Sequence, residues 1–237
     1  MLNTCYLDKL VNAPDWFYTK TPLFHITAIN NLTSILNARA IYAKNKLAKL
    51  DMKYTNIAHE EIQENRNATT LRNGDNLHDY VPFAFAPLSP MLYALHNNKI
   101  KNCTSTQDDI AYLVTNAQAL SAIKFLYTDA HPLSKPVKFY EKLGDIRAID
   151  WEIFFEPPLI NPGKYSRFWL NRTNTEKPKW MDRKRKRMAE FLVYDKLPWH
   201  LIDTIVVKSE AAKTRVEAIL RQFKENKKIE IFQEWYY

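Results

Sequence analysis

The order of short β-favouring runs constrains this chain more than any other feature of its sequence. Leu23–Thr27, Tyr80–Phe85, Ile110–Thr115, Phe125–Thr128, Phe191–Tyr194, Ile202–Val207 and Lys228–Phe232 each read as a strand. Helical spacing appears between some of them: Leu32, Ile35 and Leu36 up to about Asn37, Thr55–Asn67, the Ser89-Pro90 start through Leu95, Asn116–Ile123, and Ser209–Phe223 with its stripe Val216, Ile219, Leu220, Phe223. Strands and helices do not alternate regularly, so a βαβ architecture is excluded and the pattern predicts an α+β fold. Ile41–Ala43 reads as a brief extended piece, Lys44–Lys53 as basic and irregular, 67–79 as a loop around Gly74, and Lys196–His200 as a turn. At 237 residues and 46% apolar, with no repeat and no low-complexity linker, the chain predicts one elaborated domain over 1–237.

Three glycines (Gly74, Gly144, Gly163) rule out both a G-x-G-x-x-G dinucleotide turn and a P-loop, so a dinucleotide would be held without the Rossmann device. His59-Glu60-Glu61-Ile62-Gln63 fails the zinc-protease pattern at its last position, and no G-x-S-x-G elbow occurs. Cys5 and Cys103 have no zinc spacing and make no disulfide framework. With no bilayer-length apolar run and no signal-peptide start, the chain reads as a cytoplasmic protein without a metal or a membrane partner. A net charge of +8 suits a partner rich in phosphate.

The densest chemistry lies in Lys179–Tyr194. Five of the six residues from Asp182 to Arg187 are basic, and they lead into Glu190, which opens the Phe191–Tyr194 strand. A carboxylate at a strand's first residue stands at the rim of a sheet, here in a strongly positive field. The arrangement fits a site that binds an anion and stabilises a forming cation, or else a solvated loop with a wet side chain. The 166–187 stretch interleaves Arg and Lys with Phe168, Trp169 and Trp180, as a groove for single-stranded nucleic acid does and as an anchored surface loop also can. Arg66 falls one turn after Ile62, so its guanidinium points inward, either snorkelling or gripping a phosphate or carboxylate. His25 and Thr27 share a face of the first strand, with a core histidine as the alternative.

Four stretches, in order, resemble one family. They are His25-Ile26-Thr27 with Asn31-Leu32 and Ile35-Leu36; Glu61–Arg66; His78-Asp79-Tyr80-Val81-Pro82-Phe83 with Ser89-Pro90-Met91-Leu92-Tyr93; and Ala189–Val193 with Pro198-Trp199. From about Leu23 to about Ile202 the chain resembles the DarT-type DNA ADP-ribosyltransferases, toxins of toxin–antitoxin pairs. The resemblance implies a split β-sheet with a cleft for NAD. It implies transfer of ADP-ribose from NAD to a base in single-stranded DNA, thymine favoured and guanine possible, with release of nicotinamide, and a macrodomain antitoxin that reverses the mark. Carried over by motif, His25, Ile26 and Thr27 would hold NAD, with Ser34 and Tyr42 lining its pocket. Arg66 would serve both the nucleotide and the reacting centre, and Glu190 would be catalytic. Residues 44–66 would cover NAD, and about 152–190 would recognise DNA through Trp180, Arg183, Lys184, Arg185, Lys186 and Arg187. No metal is required. Met188, Leu88 and the Asn37-Ala38-Arg39-Ala40 turn depart from the family's usual Gln, Arg and Gly, the first two bearing on base preference.

The residues fit that chemistry. Cleaving the nicotinamide–ribose bond passes through an oxocarbenium-like state, which one fixed carboxylate can stabilise while accepting the ribose 2′-OH hydrogen bond. Two other readings use the same features: a non-catalytic module for single-stranded nucleic acid, and ADP-ribosylation of RNA or protein. A metal-dependent nuclease is disfavoured, because no Lys stands two residues after Glu190 and no second carboxylate is placed.

Overall fold

The computed structural model describes residues 20–154 and 182–237. Among these described residues ten strands form in chain order: β1 Pro22–Ala28, β2 Ala40–Tyr42, β3 Tyr80–Ala84, β4 Ile110–Asn116, β5 Phe125–Thr128, β6 Phe139–Tyr140, β7 Glu190–Tyr194, β8 Lys196–Pro198, β9 Thr204–Val207 and β10 Lys228–Ile231. Eight make one sheet in the order β10-β9-β4-β1-β3-β7-β5-β6, and β2 pairs with β8 apart from it. Only β9 and β10 run parallel within this sheet; its other neighbours are antiparallel. The α+β expectation holds.

Both faces of the sheet are covered, which explains why β4 is an almost unbroken apolar run. Ala111 and Leu113 pack with Leu23, Ile205 and Val207 on one face, while Tyr112 and Val114 pack with Phe24, Val206, Trp235 and Tyr236 on the other. The helices are α1 Leu32–Ala38, α2 Lys44–Lys49, α3 Glu60–Asn67, α4 Pro90–His96, α5 Arg183–Arg187 and α6 Glu210–Gln222. Ser89 and Ser209 cap α4 and α6 by accepting from Leu92 N–H and Ala212 N–H. Arg39 ends α1 at φ 54°, the left-handed position where glycine is unstrained, and its guanidinium pairs with Glu225.

Several local expectations are corrected. The Lys44–Lys53 stretch opens with the helix α2 rather than being irregular, and the helix expected over Thr55–Asn67 begins only at Glu60. Thr55 N–H is drawn away to Asn31 Oδ1 and Asn56 Oδ1 accepts from Ala58 N–H, so the backbone there bonds to side chains instead of to a helical turn. Asn116–Ile123 contains a single turn, Gln118–Leu120, and Lys196–Pro198 is a strand rather than a turn because Ala40–Tyr42 supplies its partner.

The sheet's main feature is where it parts. β1 pairs with β4 at seven positions but with β3 only at Phe24–Ala84. Past that point the strands diverge, and His25 Nδ1 approaches Pro82 O at 2.9 Å. A residue in an extended strand aims its N–H and C=O to the same side, so Pro82 places its missing donor where no ladder exists. A proline inside this strand is therefore tolerated. Among the described residues no helix is long and apolar enough to cross a membrane.

Candidate active site

Beside the parting lies a cavity of about 550 Å³, walled by β1, β3, the start of β7 and residues 40–66. His25, Ile26, Thr27, Ser34, Tyr42, Arg66 and Glu190 all line it, although they come from five separate elements. Trp180 and most of 152–190 fall outside the described residues.

Glu190 is fixed by its neighbours. β5 pairs with β7 through Tyr127–Phe191, and one residue further on Thr128 replaces the ladder with its side chain. The buried Thr128 hydroxyl accepts Glu190 N–H at 3.0 Å. On the other side Glu190 faces Ala84 across β3, in one row with Phe24. Its carboxylate meets Arg66, whose Nη1 donates to both oxygens at 3.0 and 2.9 Å. Arg66 is 6% exposed, and its other terminal nitrogen, Nη2, is buried without an acceptor among the described residues. A guanidinium donor held out of water and unpaired is costly, and a polar group of a bound ligand would satisfy it.

His25 can approach the Pro82 carbonyl only as a donor, which places its proton on Nδ1 in the neutral ring. Desolvation lowers its pKa below the ordinary histidine value, outweighing the hydrogen bond to Pro82, which raises it. Three further histidines, His59, His78 and His131, line the cavity without having been assigned to a site from the sequence. His78 is buried and its pKa is lowered to about 4, by desolvation first and then by the Lys44 and Arg66 cations. His131 is lowered by desolvation, with Glu190 pulling it up and Arg66 down. Nothing in its local sequence marks it; only the pairing of β5 with β7 carries the loop after Thr128 to the carboxylate. Lys44 donates to Gln63 Oε1 at 3.0 Å, and desolvation followed by Arg66 lowers its pKa. The cavity thus holds one carboxylate amid a guanidinium, an ammonium and three histidines, His25, His78 and His131, biased to the neutral form.

The expected row of cations facing a nucleic-acid strand is not what α5 presents. Arg183 is 1% exposed and Arg187 8%, the latter donating to Ile153 O at 3.1 Å. Arg187 is lowered to about 10, by burial and then by Arg183. Arg185 Nε grips Asp182 at 2.9 and 2.7 Å, and Lys186 pairs with Asp150 at 3.1 Å. Five cations on five helical residues must point all around the axis, so some turn to the interior. Lys184 is exposed and lines the cavity with Arg187.

A sheet that parts beside a strand-edge glutamate, over an Arg-lined cleft, is the arrangement that the resemblance to ADP-ribosyltransferases implies. Comparison narrows this. The family model for "ssDNA thymidine ADP-ribosyltransferase, DarT" matches residues 24–237, and the chain belongs to that family. It is similar to the DNA ADP-ribosyl transferase of Thermus sp. (strain 2.9), 35% identical over 92% of this chain and 96% of that protein. Solved structures of Thermus sp. 2.9 DarT superpose on it with TM-score 0.76 for the complex with ADP-ribosylated single-stranded DNA and 0.72 for the complex with NAD+. Each is 33% identical and matches 92% of this chain, covering 97% and 98% of those structures respectively.

Proposed function

We propose that this protein transfers ADP-ribose from NAD to a base of single-stranded DNA, thymidine first, and releases nicotinamide. The observation that carries the reading is the Arg66–Glu190 pair on the rim of the parted sheet, lining the cleft. Glu190 accepts the ribose 2′-OH and stabilises the positive charge as the bond from ribose to nicotinamide breaks, its electron pair leaving with nicotinamide nitrogen. A ring nitrogen of the base then forms the new bond to the ribose carbon and gives up its N–H proton to solvent. Arg66 Nη1 fixes the carboxylate, and Nη2 is left to hold a polar group of the nucleotide. His25, Ile26 and Thr27 form the wall for NAD, with Ser34 and Tyr42 beside them and residues 44–66 as its cover. No step asks for a metal, and among the described residues no cluster of three or more His, Cys, Asp or Glu is assembled.

Single-stranded DNA crosses the mouth near Lys184, and the 152–190 segment supplies base recognition. A macrodomain antitoxin is the partner that the family resemblance implies. Oligonucleotides that each lack one base, incubated with protein and NAD, test the acceptor: product forms on all but the thymidine-free strand. Equal product without thymidine would overturn the base assignment, and product only on RNA or protein would overturn the DNA reading.

A further inference from the structure

Asn31 follows β1 in a short turn and is 9% exposed. Its carboxamide uses both donors: Nδ2 donates to Thr27 Oγ1 at 3.1 Å and to Thr55 O at 3.0 Å. Its Oδ1 accepts Thr55 N–H at 2.7 Å. The pairing with Thr55 is a two-point match of the kind a β ladder makes, supplied by a side chain.

Thr55 lies in the irregular segment 52–58, every residue of which lines the cavity. Residues 53–56 are exposed. Met52 N–H bonds back to Leu47 O, and the Asn56–Ala58 bonds are internal. Among the described residues, the hydrogen bonds that tie residues 53–58 to the rest of the protein are those to Asn31. The other fastening is Ile57, 6% exposed and packed with Phe24 and Leu92. One amide therefore joins Thr27 on the cavity wall to the segment that covers the cavity.

We infer that Asn31 is a positioning residue that latches segment 52–58 over the nucleotide donor, setting how tightly the donor is held rather than how fast its bond breaks. The inference rests on NAD occupying this cleft. Asn31 is remote from the Arg66–Glu190 pair by hydrogen-bond connectivity, so loosening it opens the cover without disturbing the carboxylate. Alanine loses all three bonds. Aspartate keeps the acceptor for Thr55 N–H, loses both donations and sets an anion against Thr55 O.

The test is steady-state turnover of the full chain with NAD and oligonucleotide, together with trypsin cleavage after Lys53, for wild type, Asn31→Ala and Asn31→Asp. Both variants are expected to raise KM for NAD by about tenfold or more while kcat at saturating NAD stays within about threefold. Cleavage after Lys53 accelerates, and saturating NAD restores protection. Should Asn31→Ala not fold, Asn31→Asp, matched in shape, decides the matter, its fold checked by circular dichroism. A folded variant with wild-type KM and wild-type cleavage overturns the latch, as does a fall in kcat with KM unmoved. A wild type without NAD-dependent turnover overturns the donor reading itself and the latch with it.

Discussion

Arg66 holds Glu190 with one terminal nitrogen and keeps the other buried and unpaired among the described residues, and this asymmetry has measurable consequences. Glu190→Gln keeps the side chain's shape and one acceptor for Arg66, so it should fold with only a small loss of stability. It removes the charge that, in the proposed reaction, steadies the oxocarbenium state, so turnover should fall by about a thousandfold or more. Arg66→Lys retains the cation but has a single nitrogen and cannot reach both the carboxylate and the position of Nη2, and should abolish most of the thermal stabilisation that NAD gives the wild type. Acid tests the neighbours. Folded His78 resists protonation until about 4, whereas the unfolded chain takes the proton near 6.5. Between those values the unfolded state binds more protons, so stability falls as pH falls through that window and is flat above it, by on the order of 3 kcal/mol for this residue. His25 and His131 are shifted the same way. Melting temperature followed from about pH 7 to about pH 4.5 should drop, and His78→Gln should flatten part of the drop; an unchanged slope in that variant would contradict it. At this scale much was legible. Helical spacing turned Arg66 inward with Ile62, yet Ile62 is 38% exposed at the cavity's mouth. The shared face is real, but it looks into the cleft and not into the core. His78 and His131 were not legible as site residues, because their surroundings come from elements distant in sequence.

Thr128 shows how the elements place the chemistry. Its hydroxyl continues the β5–β7 pairing by one residue and fixes the backbone of the first residue of β7. Thr128→Val keeps the volume and deletes the bond, leaving Glu190 N–H buried and unpaired at a cost of about 1–3 kcal/mol. Because the carboxylate itself is displaced, kcat should fall more than KM rises; the reverse split in steady-state kinetics would contradict the positioning role. The strand beginning at Glu190 was readable from Phe191–Tyr194, whose β-favouring residues pack in the sheet. The parting between β1 and β3 was not, since both runs look like ordinary strands and only the register shows that they meet at one pair. The absent first turn of the helix expected from Thr55 has the same origin: its backbone is bonded by Asn31, 24 residues earlier.

At the scale of the whole molecule a net charge of +8 does not say which cations reach the surface, and among the described residues the basic run is divided. In α5, Arg183 and Arg187 are buried, and Arg185 and Lys186 are paired with Asp182 and Asp150. Lys184 is the cation of this helix that stands exposed at the cavity, so Lys184→Ala should weaken binding across sequences and lower the salt slope for single-stranded DNA by about 0.7. A slope that is unchanged would remove Lys184 from the DNA path. The sequence disclosed the positive run but could not disclose its division between interior and surface, which depends on Ile153 and Asp150 approaching from elsewhere. The central claim is that Glu190, held by Arg66, makes this cleft an ADP-ribosyltransferase acting on DNA. Mass spectrometry of a thymidine-containing oligonucleotide after incubation with NAD tests it most directly. Wild type should add one ADP-ribose per modified strand, and a folded Glu190→Ala should add essentially none; undiminished addition by that variant would contradict the account.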